Sequence, residues 1–120
     1  MSFSDYFDME KKIIDENCLI LRIPFKEDFL NKIGAIHGGV IMTLADNASG
    51  DLANSFGMVA PTLSMTTHFL RPIIESKYIY AKAEILKKGK RIITVDCTVY
   101  GDDEKIAATT RTEFAVTKKR

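Results

Sequence analysis

The spacing of apolar residues predicts one long helix in the first half of the chain. From residue 38 to about 56, apolar side chains recur every three or four positions, as they do on one face of a helix. That face collects Ile41, Leu44, Ala45, Ala48 and Leu52. The opposite face carries small or amide-bearing residues where a solvated face usually carries lysine and glutamate: Thr43, Asn47, Gly50 and Asn54. We therefore expect this second face to contact another surface, such as a second subunit.

After Pro61 the period of the pattern changes to two, which is typical of strands with one buried face. Four segments show it: "TLSMTTHFLRP", "YIYAKAEIL", "IITVDCTVY" and "KIAATTRTEFAV". The intervening "KKGKR" and "GDDEK" combine glycine with charge, as exposed hairpin turns do.

The region before the helix adds one strand and a loop. "CLILRIPF" predicts a strand with Pro24 near an edge or turn, and "KEDFLNKIGA" predicts a loop. Residues 4–11 predict a short helix capped by Ser4, and Gly57 suits the end of the long helix. The fold class is therefore α+β, a single domain over residues 1–120 with a five-stranded antiparallel sheet wrapped over one long helix. One helix covers five curved strands poorly, so we expect at least a homodimer.

Composition and charge exclude several classes of partner. Hydrophobic residues make up 46% of the chain, charged residues 28%, and the net charge is +1. This balance is typical of a globular domain and argues against nucleic acid or a membrane surface as a partner. No apolar run approaches the ~20 residues of a membrane span. The terminal "KKR" predicts a short solvated end.

The cysteines and the N-terminus both indicate the cytoplasm. Cys18 and Cys97 lack a metal-ligand spacing, and we expect reduced thiols. The opening "MSFSDYFDME" has acidic residues where a secretory signal has a basic region and an apolar core.

The candidate chemistry lies in "NKIGAIHGGVIMTLADNASG", residues 31–50. Asp46 falls within the helix, too far from its start to be an N-cap, and a carboxylate away from water needs partners or a function. Gly38 and Gly39 open the helix, where unpaired N–H groups and the positive end of the dipole lie. Glycines there let a carbonyl oxygen approach the backbone, as in an oxyanion hole, although a plain glycine-rich turn has the same sequence.

Asp46 lies eight residues beyond Gly38, which is roughly 12 Å along a helix. The carboxylate therefore reaches a carbonyl at its own helix start with difficulty, but reaches one held by a neighbouring antiparallel helix. We expect a composite site that combines glycine N–H groups of one chain with the carboxylate of another.

Three further residues have two open interpretations each. His37 either orients the loop and donates a hydrogen bond to substrate, or caps nearby backbone. Asn31 either positions a water or a carbonyl, or is a turn residue. Thr62 either bonds the aspartate or is an ordinary β-branched strand residue.

Other chemistry-bearing motifs are missing from the sequence. It contains no G-x-S-x-G, no P-loop and no G-x-G-x-x-G, and His37 and His68 lack zinc spacing. "KKGKR" is either a phosphate-binding turn or a solvated hairpin tip.

The 31–50 segment resembles the signature of the hotdog-fold acyl-CoA thioesterases, in the branch of the phenylacetyl-CoA thioesterases. The matching positions are Asn31, Gly34, His37-Gly38-Gly39 and Asp46. "TLSMTTHFLRP" resembles that family's strand ending in Arg-Pro, so the likeness covers nearly the whole chain.

The resemblance implies a homodimer of hotdog folds, often paired into a homotetramer, that hydrolyses acyl-CoA. It assigns Asp46 as general base or nucleophile, Gly38 as oxyanion donor, and Asn31 and His37 as groups that orient the water and the thioester. Thr62 would assist the aspartate. Such hydrolysis needs no metal or other cofactor.

Two other functions compete with the thioesterase. A hotdog-type acyl hydratase or dehydratase pairs a histidine with an acid, and His37 and Asp46 supply both. A non-catalytic acyl-CoA binding module keeps the glycines and the pocket without needing Asp46. The sequence leaves the acyl group open, and also the choice between CoA and acyl-carrier protein.

Overall fold

The long helix, α1, spans Gly38–Ala53 and continues as a 3-10 turn over Asn54–Phe56. In the computed structural model, which describes residues 2–120, all five residues of its predicted apolar face are buried. Gly57 ends the segment with φ 79°, a left-handed conformation that glycine adopts without a steric penalty. The helix prediction is confirmed, with a tighter last turn.

Six strands form the main antiparallel sheet, and two short strands form a second one. The order in the main sheet is β1-β2-β5-β6-β7-β4, and β3 pairs with β8. The strands are β1 Glu10–Asp15, β2 Cys18–Pro24, β3 Met58–Val59, β4 Thr62–Phe69, β5 Tyr78–Lys88, β6 Ile92–Tyr100, β7 Ile106–Ala115 and β8 Lys118–Lys119.

The two-residue period of the sequence matches the burial of the strands. Along β6 every second residue from Ile93 to Val99 is buried, and the residues between them are partly exposed. β5 and β7 alternate in the same way over most of their length. One face of the sheet therefore packs against α1, and the α+β hotdog architecture is confirmed.

The predicted strand count and the predicted N-terminal helix need correction. A 3-10 helix spans only Phe3–Phe7, and Ser2 occupies its N-cap position instead of Ser4. Residues 10–15 form β1, the sixth strand, which pairs with β2 across a tight turn. All six residues of β1 are exposed, so backbone pairing holds the strand and no apolar alternation marks it in the sequence.

The polar face of α1 is partly covered by the chain itself. The Ser4 hydroxyl donates to Asn47 Oδ1 at 2.9 Å, which ties the N-terminal turn to the helix. Asn54 Nδ2 donates to the carbonyls of Gly50 and Ala60, and its Oδ1 accepts from the Ala60 N–H. Two of the amides on the face that we expected to contact a second subunit, Asn47 and Asn54, therefore have partners within the chain.

The C-terminal residues are exposed, as the predicted solvated end requires, and they also form a short strand. Lys118 and Lys119 pair with Val59 and Met58 through their backbones, while their side chains stay exposed. Among residues 2–120, no helix has the length and apolar character needed to cross a membrane.

Candidate active site

Hydrogen bonds at the start of α1 leave one backbone donor without a partner. His37 is the N-cap, and its Nδ1 accepts the Gly39 N–H at 2.9 Å. The Val40 N–H donates to the His37 carbonyl at 2.9 Å. No acceptor for the Gly38 N–H is found among residues 2–120, so this donor is available at the positive end of the helix dipole.

The cap also determines which ring nitrogen of a neutral His37 carries the proton. A neutral imidazole whose Nδ1 accepts a hydrogen bond carries its proton on Nε2. His37 is exposed, and its Nε2–H is a second donor near the helix start. The capping interpretation of His37 describes the observed contact, and it leaves the Nε2–H free for a substrate.

Asn31 organises the loop that precedes the helix. Its Oδ1 accepts from the N–H groups of Ile33 at 3.0 Å and Ala35 at 3.1 Å. The amide oxygen is thus used in a turn, as one interpretation expected, while no acceptor for its NH₂ group is found within residues 2–120. A groove of about 390 Å³ contains both Asn31 and Gly38.

Phe69 is a residue of this groove that the sequence analysis did not single out. A Cβ atom placed on Gly38 would lie 3.1 Å from Phe69 Cζ, so the ring packs directly on the glycine. Phe69 is nevertheless 53% exposed. The sequence shows only an apolar residue at the end of a strand, because the contact depends on how β4 lies against α1.

Asp46 and Thr62 form the second part of the candidate site. The Thr62 hydroxyl donates to Asp46 Oδ1 at 2.9 Å, joining the start of β4 to the middle of α1. Asp46 is half-buried and lines a separate groove of about 400 Å³ together with Thr62 and Arg120. Arg120 is exposed, as predicted, and no sequence motif marks its approach to this groove.

The two parts of the site lie in different grooves of one chain. The groove of Gly38 and the groove of Asp46 have no lining residue in common. Eight residues of helix separate the glycine from the aspartate, a rise of roughly 12 Å. One chain therefore groups Asn31 with Gly38, which follows His37 in the sequence, and separately groups Asp46 with Thr62.

A larger groove on the opposite face of the sheet contains none of these residues. It measures about 490 Å³ and is lined by Arg22, Tyr80, Tyr100 and Asp102 among others. Tyr80 donates to Asp102 Oδ1 at 3.2 Å, and burial followed by this bond raises the pKa of Tyr80. The Lys77 N–H bonded to Asp102 lowers the pKa of that carboxyl.

Both cysteines are unpaired and buried. Burial, above all, raises the pKa of the Cys97 thiol to about 12 and also raises the pKa of Cys18. Because the thiolate is the reactive form, neither residue is an activated nucleophile.

Comparisons with known proteins identify the family of the chain. A family model described as the thioesterase superfamily matches residues 33–108. The acyl-coenzyme A thioesterase PaaI of Escherichia coli K12 is 29% identical over 95 residues, covering 79% of this chain and 68% of the relative.

Solved structures show the same fold over almost the whole chain. A Streptococcus mutans UA159 protein bound to acetyl CoA has a TM-score of 0.88 and 26% identity, covering 94% of this chain and 91% of that one. The PaaI protein of E. coli, from the phenylacetic acid degradation operon, has a TM-score of 0.91 and 24% identity, covering 97% and 84%. The expected resemblance is confirmed: the chain belongs to the thioesterase superfamily.

Proposed function

We propose that residues 1–120 form one thioesterase domain that hydrolyses acyl-CoA at a composite site in a homodimer. The activity is that of the family, a thioester hydrolase. One observation supports the composite site: within one chain the hydrogen-bond donors line one groove and the carboxylate lines another. Gly38 of one protomer and Asp46 of its partner would face the same thioester.

The chemistry follows from the hydrogen bonds of each part. The free Gly38 N–H donates to the thioester carbonyl oxygen and stabilises the negative charge that develops there. The His37 Nε2–H and the Asn31 NH₂ are the additional donors that orient the thioester and the water.

Asp46 supplies the group that drives the attack. As a general base it takes a proton from water while the water oxygen bonds to the carbonyl carbon; as a nucleophile it forms that bond itself. In the general-base route the C–S bond breaks and the proton taken from water passes to the leaving CoA thiolate. In the nucleophilic route the thiolate leaves as the acyl–Asp46 anhydride forms, and water then hydrolyses that anhydride, which releases the acid, regenerates the carboxylate and supplies the proton for the thiolate. Thr62 holds Oδ1 of the carboxylate, which leaves Oδ2 to act.

The free edge of the sheet supports dimerisation. β4 ends the sheet on one side and is mostly exposed. Near this edge Leu63 is 59% exposed and Leu70 is 60% exposed, which is a large apolar surface to leave in water. Pairing through β4 would cover these side chains and bring the second helix near the first. A homotetramer is the further assembly that the family resemblance implies.

The relatives support the substrate class and the location. PaaI is named an acyl-coenzyme A thioesterase, and the S. mutans structure is bound to acetyl CoA. We place the protein in the cytoplasm, consistent with two cysteines that carry no disulfide.

Release of free thiol from a panel of acyl-CoA substrates tests the activity. We expect the parent to release thiol, and Asp46→Asn and Asp46→Ala to lose release by at least about a hundredfold. A hydratase would instead add water to an enoyl-CoA with the thioester intact, and a binding module would bind without release. Either result would refute the proposed hydrolysis.

Mixed dimers test whether the site is composite. Asp46→Asn removes the carboxylate, and Gly38→Val covers the oxyanion donor with a side chain whose Cβ would lie 3.1 Å from Phe69 Cζ. Each variant alone should be inactive. After unfolding and refolding together in equal amounts, half of the dimers carry one intact site of two, so about a quarter of parental activity should return.

Two controls accompany the mixture. Circular dichroism and light scattering show whether Gly38→Val still folds and dimerises. If each variant folds and dimerises but the mixture stays inactive, then Gly38 and Asp46 act within one chain and the composite site is wrong.

A further inference from the structure

The ring of Phe69 lies against the first residue of α1. Phe69 is the last residue of β4 and pairs with Ala108, which is buried, so its side chain projects from the face of the sheet that packs against the helix. A Cβ atom on Gly38 would lie 3.1 Å from Phe69 Cζ and 3.3 Å from Cε1. Contacts this short are rare for real Cβ atoms, so an alanine at position 38 would require the ring to move.

The ring also lies on the side of the helix toward which the free backbone donor points. In an α-helix the Cα–Cβ bonds are tilted toward the N-terminus, and the first N–H groups point in the same direction. The ring atoms that a Cβ on Gly38 would touch therefore lie beside an acceptor of the Gly38 N–H. In the proposed reaction that acceptor is the thioester carbonyl oxygen, so Phe69 flanks the reacting carbonyl.

Core packing does not account for this position of Phe69. Ile36 and Ile41 line the same groove and are buried, whereas about half of the Phe69 side chain is exposed. A large apolar side chain held at the opening of a groove is available to contact a bound molecule.

The composition of the groove indicates which side of the thioester contacts the ring. Besides Phe69, the apolar side chains that line the groove include Ile33, Ile36, Ile41, Leu70 and Pro72. The pantetheine arm of CoA carries amides, and on such a surface they would lose hydrogen bonds to water without replacement. An acyl chain loses none, so the acyl group is the part of the substrate that suits this groove.

We propose that Phe69 selects acyl groups that are unbranched at the carbon next to the thioester carbonyl. This inference rests on the proposed acyl-CoA hydrolysis and specifies the substrate class of the same site. A CH₂ group at that carbon packs against the edge of the ring, whereas a branch brings an additional methyl group into the space that the ring already fills.

Two isomeric substrates isolate the effect of the branch, because butyryl-CoA and isobutyryl-CoA have the same atoms and the same leaving group. We expect the parent to hydrolyse butyryl-CoA with a kcat/KM at least about tenfold higher than that for isobutyryl-CoA. In Phe69→Ala the two values should come within about threefold of each other, because the branch gains room. Partial unfolding of a variant does not change this ratio, since it lowers both rates by the same factor.

Leu86→Ala is the matched control for the loss of an exposed apolar side chain. Leu86 is 53% exposed, as Phe69 is, but it lies on β5 and does not line the groove. This variant should keep the parental ratio, and a ratio that falls as far as in Phe69→Ala would count against the ring. A parent that hydrolyses both esters equally overturns the proposal, as does a Phe69→Ala protein that keeps the parental ratio.

Urea unfolding tests the contact itself without turnover. Gly38→Ala should lower the urea midpoint more in the parent than in a protein that already carries Phe69→Ala, because the added methyl group then meets no ring. Equal effects in the two backgrounds would show that the ring does not fill this space, which overturns the proposal.

Binding measurements separate this proposal from the hydrolysis on which it rests. If neither ester is hydrolysed, calorimetric titration with the same two esters decides the role of Phe69. Tighter binding of butyryl-CoA than of isobutyryl-CoA by the parent, lost in Phe69→Ala, supports selection by the ring, and equal binding by the parent overturns it. The hydrolysis itself is refuted only if no acyl-CoA of the wider panel releases thiol.

Discussion

Individual hydrogen bonds decide which groups near α1 remain free to react. His37 Nδ1 accepts the hydrogen bond of the Gly39 N–H. The Gly38 N–H is then the backbone donor at the helix start that has no partner among residues 2–120. The Thr62 hydroxyl donates a hydrogen bond to Oδ1 of Asp46, which leaves Oδ2 available for a substrate or water. The same two contacts fix the orientation of the imidazole and of the carboxylate, so the groups that we propose to react are also held in position.

Replacing Thr62 by valine tests the contact with the carboxylate. Valine keeps the size of the side chain but removes the hydroxyl that donates to Asp46 Oδ1 at 2.9 Å. We expect kcat to fall about tenfold, since a bond to a charged group is lost. Thr62→Ser retains the hydroxyl and should stay within about twofold of the parent. A Thr62→Val enzyme with parental kcat would show that the bond has no part in turnover.

The raised pKa of the Cys97 thiol allows a prediction of how the free energy of unfolding changes at alkaline pH. Burial raises its pKa from 9.0 to about 12, so between these values the unfolded chain loses a proton that the folded chain keeps. The free energy of unfolding should therefore fall as the pH rises above 9.0, by up to ~1.4 kcal/mol per pH unit from this group.

Urea unfolding at several pH values from about 8 to 10 measures this slope. Cys97→Ala lacks the thiol, so its stability should fall less steeply with pH, whatever its absolute value. Parallel slopes for the two proteins would contradict the assignment to Cys97.

At the scale of elements, α1 connects the two parts of the site. Its first turn presents the glycine donor, its middle carries Asp46, and β4 contacts both regions, through Phe69 and Thr62. The strand therefore sets the position of the helix relative to the free sheet edge.

The start of α1 offers a way to separate capping from catalysis at His37. His37→Ala removes the cap of the Gly39 N–H and should lower the free energy of unfolding by about 1 kcal/mol. His37→Asn restores a good N-cap and should keep most of that stability, but it lacks the imidazole Nε2–H. We expect both variants to lose turnover.

Urea unfolding and thiol release, measured on the same preparations, distinguish the two roles of His37. If His37→Asn recovers both stability and turnover, the histidine serves only as a cap.

The elements that could be predicted from the sequence are those with one buried face. The apolar face of α1 and the alternation along β5 to β7 are visible in the sequence because one side of each element is in the core. β1 was missed because it buries nothing and depends on pairing with β2. The signature residues were recognisable by spacing, whereas Phe69 and Arg120 approach the grooves only through packing of distant segments.

At the scale of the whole molecule, the proposed site makes assembly a condition of activity. The two edge strands of the sheet, β4 and β1, each expose a large apolar side chain: Leu63 is 59% exposed and Ile13 is 71% exposed. β4 contacts both parts of the candidate site, through Phe69 and Thr62, so the proposal requires the partner at the β4 edge.

Dilution tests this requirement directly. If two chains build each site, thiol release per chain should fall at low protein concentration, with the same midpoint as dissociation of the dimer measured by light scattering.

Leu63→Glu places a charge in the proposed interface and should move both midpoints to at least about tenfold higher concentration. Ile13→Glu makes the same change on the opposite edge and should leave the dimer midpoint in place. A Leu63→Glu protein that is monomeric and fully active would mean that one chain suffices, and the division of the site between protomers would be wrong.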